Sequence, residues 1–180
     1  MPLPDKDVCV PLLTRAEIDV AVKRLAGELN RDYRDKNPLL IGILKGSFVF
    51  MADLIRCLDF PLEIDFGRVS SYGRGKESSG QIRILFGPRC NVSGRDVIVV
   101  EDIVDTGLSV SHFMRYLKRK YPASLKLCAL VDKPSRRRVP VQIDYLGFTV
   151  PDKFLVGCGL DWDEKYRNLP DICALEQRPE

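Results

Sequence analysis

The sequence predicts one α/β domain with a mostly parallel sheet, in a chain of 180 residues. The apolar runs at 39–44, 96–100 and 125–131 are continuous rather than alternating, which is typical of parallel strands covered on both faces. Between them lie stretches whose apolar residues recur at helical spacing. The content of 45% apolar and 29% charged residues is that of a globular protein, and it excludes a disordered or collagen-like chain.

Three helices are predicted along the chain. The first covers 15–34, and Thr14 with Glu17 three places later forms a capping-box pattern at its start. The other two cover 48–58 and 109–121. In the last of these the apolar stripe at i, i+3, i+4 and i+7 consists of Val110, Phe113, Met114 and Leu117.

Two further short strands are predicted near the C-terminus, at 145–148 and 154–157. Together with the N-terminal segment they would form a small lobe, which we call the hood. We therefore expect a core of about 35–145 and a hood built from about 1–14 and 145–180.

A stretch rich in Gly and Ser at 70–80 contains no apolar anchor and is predicted to be a long mobile loop. Loops of this length within compact domains are usually functional lids or disordered segments.

Charge and cysteine usage exclude several classes of protein. The 28 Lys and Arg against 25 Asp and Glu give a net charge of only +3, which does not require a nucleic-acid partner. The six cysteines form no C-x-x-C pair, so we expect neither a metal finger nor a disulfide framework, and a single histidine, His112, excludes a multi-His metal site. No apolar run approaches the roughly 18 residues of a membrane span. The N-terminus lacks the order of a secretory signal, so a cytoplasmic location is expected.

The segment 99–109 holds the most informative residues. A buried strand ends in two adjacent carboxylates, Glu101 and Asp102, a tight Asp105-Thr106-Gly107 turn follows, and a helix is expected from Ser109. Ligands of open α/β sheets bind beyond the C-terminal ends of the strands, and a helix N-terminus at that place suits a phosphate. The two carboxylates suggest that the ligand also carries sugar hydroxyls or a bound magnesium ion.

Two other interpretations of this segment are open at this point. Asp-Thr-Gly is also the triplet of aspartic proteases, but that site belongs to an all-β fold and here the triplet leads into a helix. The plainer alternative is an acidic strand end followed by a helix cap without any ligand.

The segment resembles the phosphoribosyl-diphosphate (PRPP) binding motif of type I phosphoribosyltransferases. Further segments, in the same order, resemble one branch of them, the hypoxanthine-guanine (6-oxopurine) phosphoribosyltransferases; they are 42–47, 71–72, 130–133, and 151–157 running on to Asp161 and Arg167. The resemblance implies a central, mostly parallel twisted sheet flanked by helices, with a small hood from the N- and C-terminal segments. It implies transfer of the 5-phosphoribosyl group from PRPP to N9 of hypoxanthine or guanine, giving IMP or GMP and pyrophosphate.

The resemblance also implies a role for each matching residue. Asp105 matches the general base that takes the purine N7 proton. The PRPP and phosphate ligands would be Lys45, Gly46, Glu101, Asp102, Ile103, Val104, Asp105, Thr106, Gly107, Leu108, Ser109 and Arg167. The purine ligands would be Lys133, Lys153, Phe154, Leu155 and Asp161. Ser71 and Tyr72 match a lid, and the Lys45–Gly46 peptide matches one that is often cis. One or two Mg²⁺ ions would be held by Glu101, Asp102 and Asp161.

The expected partners are therefore PRPP, hypoxanthine, guanine and the product nucleotides, with no nucleic acid and no membrane, in a homodimer or homotetramer.

Some proteins of this fold are instead RNA-binding regulators, for which the arginines at 136–138 would be a candidate surface, although the plainer interpretation of these arginines is a solvated loop. A third alternative is an inactive relative. The intact Asp105 argues against inactivity, and the set of Lys133, Phe154 and Asp161 favours the enzyme over the regulator. Departures from the family pattern at Leu108, Ser109, Asp132, Pro134 and Cys158 leave the preference among hypoxanthine, guanine and xanthine open.

Overall fold

A computed structural model describes residues 7–71 and 82–177 of the chain. Along these residues the elements are β1 (Asp7–Leu13), α1 (Arg15–Tyr33), β2 (Leu39–Leu44), α2 (Phe48–Ile55), β3 (Glu63–Ser71), β4 (Ile82–Phe86), β5 (Asp96–Val104), α3 (Leu108–Lys118), β6 (Ser124–Asp132), β7 (Tyr145–Thr149), β8 (Leu155–Val156) and β9 (Ile172–Gln177).

Six strands form the central sheet, in the order β4-β3-β2-β5-β6-β7. All neighbouring pairs are parallel except β3 with β4. The predicted α/β class with a mostly parallel sheet is confirmed. The strands β2 and β5 lie in the middle and are almost completely buried, which explains why their sequences are continuous apolar runs.

The two faces of the central sheet are covered by different helices. Side chains such as Leu40, Ile98 and Leu130 pack with α1 and α2 in one core, while their neighbours in the strands pack with α3 in a second core. The alternation follows from the two-residue period of a strand. A layer of helices on each side leaves the C-terminal ends of the strands open to a ligand.

The hood is a second sheet of three strands, in the order β1-β9-β8, with antiparallel pairs throughout. The predicted hood boundary at 145 is wrong, because β7 pairs in parallel with β6 as the sixth strand of the central sheet. The connection from β6 to β7 contains only a short 3-10 helix, Pro134–Arg136, so the helical pattern that marks a parallel crossover is missing from the sequence. The segment after β7 supplies the C-terminal part of the hood.

The three predicted helices are present with modest shifts of their ends. The capping box is confirmed: the Glu17 N–H donates to Thr14 Oγ1 at 3.3 Å, and Glu17 Oε2 accepts from the Thr14 N–H at 2.8 Å. The second helix stops at Ile55 rather than 58, and the third covers Leu108–Lys118 rather than 109–121. Pro122 disfavours a helical conformation at Tyr121, which has a left-handed φ of 55°.

The predicted loop at 70–80 overlaps the gap between the described ranges, but the prediction is wrong for Ser70 and Ser71, which belong to β3 and pair with β4. Ser71 ends β3, whereas Tyr72 and the residues up to 80 lie outside the described residues, so the lid stays a prediction. All six cysteines are free thiols, which agrees with the expectation that there is no disulfide framework. Of the helices in residues 7–71 and 82–177, none is long and apolar enough to cross a membrane.

Candidate active site

A cavity of about 410 Å³ lies where the C-terminal ends of the central strands meet the hood. It brings together most of the predicted site residues, namely Lys45, Gly46, Asp102, Ile103, Asp105, Lys133, Phe154, Leu155, Asp161 and Arg167. Lys153 does not line this cavity, because its ammonium group pairs with Glu176 of β9 at 2.6 Å. Only its backbone carbonyl is directed towards the cavity residue Lys133, from which it accepts a hydrogen bond at 2.6 Å.

The two carboxylates at the end of β5 are buried. Glu101 and Asp102 are each 8% exposed. Burial raises the pKa of Glu101 well above its ordinary value, and the charge of Asp102 adds to the effect. Burial likewise raises the pKa of Asp102 to about 6, against hydrogen bonds from its own N–H and that of Ile103. Oε2 of Glu101 has no hydrogen-bond partner. A cation or hydroxyl donors would satisfy such an acidic pair.

The predicted metal ligands do not converge into a single cluster. Within the two described ranges, no three His, Cys, Asp or Glu side chains lie close enough to hold an ion by themselves. Asp161 instead pairs with Arg167, whose Nη2 lies 2.9 Å from Oδ1 of Asp161. A metal bound by this protein would therefore need oxygens from a ligand or from water in addition.

The loop after β2 is packed tightly against the acidic strand end. A methyl group added at Gly46 would lie 1.7 Å from Oδ2 of Asp102, so only glycine allows this approach. A methyl group added at Gly159, which has a φ of 97°, would lie 2.1 Å from the carbonyl oxygen of Gly46. The cis peptide in this loop joins Leu44 and Lys45, so the expectation of a cis Lys45–Gly46 bond is wrong. The two bonds are adjacent, and the residue types do not distinguish them.

The turn between β5 and α3 leads directly into the N-terminus of α3. Gly107 caps α3 with a φ of 80°, and the helix begins at Leu108, one residue earlier than expected. The first N–H groups of a helix have no partner within it and carry a partial positive charge. The carbonyl of Thr106 accepts from the N–H groups of Arg138 at 2.9 Å and Val139 at 3.2 Å, which holds the turn from its other side.

Asp105 lies between this turn and the cavity. Its Oδ1 is buried and makes no hydrogen bond, although Nε of Arg136 approaches it to 3.5 Å. The carboxylate therefore keeps an unused acceptor beside the cavity.

The plainer interpretation of the arginines at 136–138 as a solvated loop is wrong for Arg137, whereas Arg136 and Arg138 are exposed. Arg136 lines the cavity. Arg137 is directed inward: its Nε donates to the carbonyl of Asp105 at 3.2 Å, and its Nη2 donates to the carbonyl of Val104 at 3.3 Å and to the carboxylate of Asp132. The guanidinium thus braces the turn that carries Asp105. The carbonyls that Arg137 contacts lie far from it in the sequence, so no local pattern could predict this role.

A buried lysine and a half-exposed ring form another part of the cavity wall. Lys133 is 4% exposed, and its Nζ has three donors, of which one is used by the Lys153 carbonyl. The ring of Phe154 is 46% exposed, and the edge-on ring of Trp162 supports it at a centroid distance of 4.9 Å. Sequence reasoning missed Trp162, whose position directly after Asp161 was the available signal.

Two cations, Lys45 and Arg167, form the remaining wall. Nη1 of Arg167 donates to the Gly159 carbonyl at 2.8 Å, which fixes the guanidinium at the cavity. Glu164, which sequence reasoning also missed, pairs with Lys45 at 2.9 Å and with Arg167 at 3.0 Å. Hydrogen bonds from Lys45 and then Arg167 lower the pKa of Glu164 to about 2.

Comparisons with known proteins agree with this architecture. The sequence model of the phosphoribosyl transferase domain matches residues 12–163. A hypoxanthine-guanine phosphoribosyltransferase of Bacillus subtilis is 45% identical over 94% of this chain and 94% of its own length, and one of Streptococcus thermophilus is 44% identical over 96% of each. A crystal structure of a hypoxanthine phosphoribosyltransferase from Staphylococcus aureus superposes with a TM-score of 0.88 at 42% identity, covering 92% of this chain and 90% of that one.

Proposed function

The chain belongs to the phosphoribosyl transferase family, and from that premise we propose that it transfers the 5-phosphoribosyl group of PRPP to N9 of hypoxanthine or guanine. The products are IMP or GMP and pyrophosphate. The observation that carries the proposal is one cavity that joins the buried carboxylate of Asp102, a buried lysine beside an aromatic ring, and two cations. Asp105 also lines this cavity and begins the turn that leads into α3.

Glu101 and Asp102 would hold the ribose hydroxyls and a Mg²⁺ ion. Their burial, their raised pKa values and the unpartnered oxygen of Glu101 fit a cation or hydroxyl donors. Mg²⁺ commonly takes one or two carboxylates together with substrate phosphates and water, which suits a site without a three-residue cluster. When bound, the ion supplies positive charge that offsets charge growing on the pyrophosphate. Asp161 would hold a second ion.

The turn from Asp105 to Ser109 would bind the 5′-phosphate. Backbone N–H groups at the start of α3 and the hydroxyls of Thr106 and Ser109 are donors suited to an anion. The inward guanidinium of Arg137 supports this assignment, because it fixes two carbonyls of the same turn. The turn can therefore receive the phosphate with little rearrangement.

Asp105 would accept the N7 proton of the purine as the new bond to N9 forms. Its Oδ1 is buried and has no hydrogen-bond partner, so a lone pair is available for the proton. Arg136, at ion-pair distance, would hold the carboxylate at the cavity wall.

Lys133 would read the base. Its Nζ gives one hydrogen bond to the Lys153 carbonyl and lies 3.9 Å from Oδ1 of Asp152, beyond hydrogen-bond distance. Donors therefore remain for the 6-oxo oxygen of hypoxanthine or guanine, whereas the 6-amino group of adenine is itself a donor there. The half-exposed ring of Phe154, held at its edge by Trp162, would stack on the purine. Leu155 would contact the edge of the base through its backbone carbonyl.

Lys45, the N–H of Gly46 and Arg167 would bind the pyrophosphate group. Their charges and donors are suited to negative charge that develops as the bond to the ribose breaks. We further propose that the protein is cytoplasmic and forms a homodimer or homotetramer.

The test is an assay with PRPP and Mg²⁺ against hypoxanthine, guanine, xanthine and adenine separately. Nucleotide formation with hypoxanthine or guanine, and its loss when Mg²⁺ is removed, is the expected result. A preference for adenine would assign the chain to another branch. Tight RNA binding at physiological salt that falls after Arg138 is changed to Gln would favour the regulator.

A further inference from the structure

Glu164 occupies a position between the two cations of the cavity. Its Oε1 lies 2.9 Å from Nζ of Lys45, and its Oε2 lies 3.0 Å from Nη2 of Arg167. A single carboxylate therefore bridges the two side chains that the proposed function assigns to the pyrophosphate group.

The backbone holds Glu164 at this position. Trp162 and Lys165 exchange hydrogen bonds of 3.1 and 3.0 Å, which closes a two-residue turn. Both central residues, Asp163 and Glu164, have left-handed φ values of 50° and 65°, a conformation that glutamate rarely adopts. The N–H of Glu164 also donates to Oδ2 of Asp161 at 2.8 Å. The turn thus presents the carboxylate to the cations at some conformational cost.

The contacts of Glu164 are strong enough to order its side chain and weak enough to be displaced. The lowered pKa of Glu164, to about 2, indicates that the carboxylate is ionised beside the two cations. Its side chain is 59% exposed, and exposed ion pairs contribute little to stability. A diphosphate carries more negative charge than one carboxylate and can replace it on both cations.

On the basis of the proposed function, we propose that Glu164 is an affinity-determining residue whose carboxylate competes with the diphosphate group for Lys45 and Arg167. The competition weakens binding of both PRPP and pyrophosphate. It also eases departure of pyrophosphate, because the carboxylate returns to the cations as the product leaves.

Glu164→Gln tests this competition in the full chain. The amide keeps the size of the side chain but not its charge, so the Kd for pyrophosphate with Mg²⁺, measured by calorimetry, should fall about three- to tenfold. The KM for PRPP should fall by a similar factor, while kcat should not rise. A residue that merely positions Arg167 would give the opposite sign, with weaker binding.

Asp163→Asn is the matched control. This neighbouring carboxylate is 79% exposed and pairs with Lys165 at 3.6 Å rather than with the cavity cations. The Asp163→Asn variant removes one negative charge from the same turn, and its Kd for pyrophosphate should stay within about 1.5-fold of the parent value. An equal gain in both variants would reveal a general effect of net charge and overturn the proposal, as would unchanged or weaker binding in Glu164→Gln.

Arg167→Gln separates this inference from the proposed function. If it leaves pyrophosphate binding of the parent unchanged, the assignment of the pyrophosphate site fails and the competition fails with it. If Arg167→Gln weakens binding but Glu164→Gln does not tighten it, the site assignment stands and only the inference is overturned. Circular dichroism melting curves of all variants verify that each is folded.

Discussion

Gly46→Ala should disable the enzyme through a displacement of its reacting groups. The added methyl group would lie 1.7 Å from Oδ2 of Asp102 and 2.5 Å from its Cγ, whereas Cβ atoms in proteins stay at least 3.0 Å from such neighbours. The loop and the carboxylate must therefore separate by at least about 1.3 Å. Asp102 belongs to the buried strand β5 and also lines the cavity, so its carboxylate would be displaced into the space that a ligand would occupy.

The size of the effect follows from that displacement. A misplacement of about 1 Å at reacting groups can cost roughly a hundredfold in rate, so kcat/KM for PRPP should fall by about a hundredfold or more. Overpacking should also lower the free energy of unfolding by about 1–3 kcal/mol. Initial rates of nucleotide formation and urea unfolding curves measure the two quantities.

Gly27→Ala provides the control for inserting a methyl group at a glycine. Gly27 lies on the exposed side of α1 with nothing within 4 Å of an added methyl group. This variant should keep parental activity and gain about 0.5–1 kcal/mol of stability, because alanine favours a helix. A Gly46→Ala enzyme within threefold of the parent would refute the reasoning that the close contact with Asp102 shapes the site.

Three further predictions concern the base, the proton and the fold. Asp105→Asn should keep PRPP affinity within about threefold by calorimetry and lower kcat about a hundredfold or more, and near-parental turnover would remove Asp105 from proton transfer. Adenine should react about a thousandfold less efficiently than hypoxanthine, because its amino group offers no acceptor to the remaining donors of the buried Lys133; ready formation of AMP would contradict this. Burial acts to raise the pKa of Asp65, but N–H donors of Cys90, Phe66 and Arg89 outweigh it and lower the pKa below 3.8. Its stabilising effect is therefore complete above the ordinary pKa and is lost as the pH falls through the lowered one. Asp65→Asn should cost about 1–3 kcal/mol in urea unfolding at pH 7 and less at pH 3, and an equal cost at both pH values would count against it.

The parts of the fold that are predictable from sequence are those whose pattern is local. The continuous apolar run of Val97–Val100 identifies a doubly covered strand, and Thr14 with Glu17 identifies a helix start. The sequence predicts the strand at 145–148 but places it in the hood, because its partner is chosen by packing against β6 and no crossover helix precedes it.

The residues of the candidate site also differ in whether a local sequence pattern predicts their role. The acidic segment and Lys133 are recognisable because their residue types follow a strand in a familiar order. Arg137 and Glu164 are not, since each acts through partners brought close only by the fold. A charged residue in a turn has no local signal that distinguishes a contact across the cavity from exposure to water.

The position of β9 in the hood has a consequence for folding during synthesis. Both β1 and β8 pair with β9. Val8 of β1 can therefore pair with Glu176 only after Glu176 has been synthesised. Strands β2 to β7 are complete much earlier and can assemble as a sheet while the ribosome still holds the rest. The turn from Asp105 to Ser109 and the buried Lys133 therefore form before the hood closes over the cavity. Because Arg167 lies between β8 and β9, a nascent chain should reach its full affinity for PRPP only after this late segment has joined the central sheet.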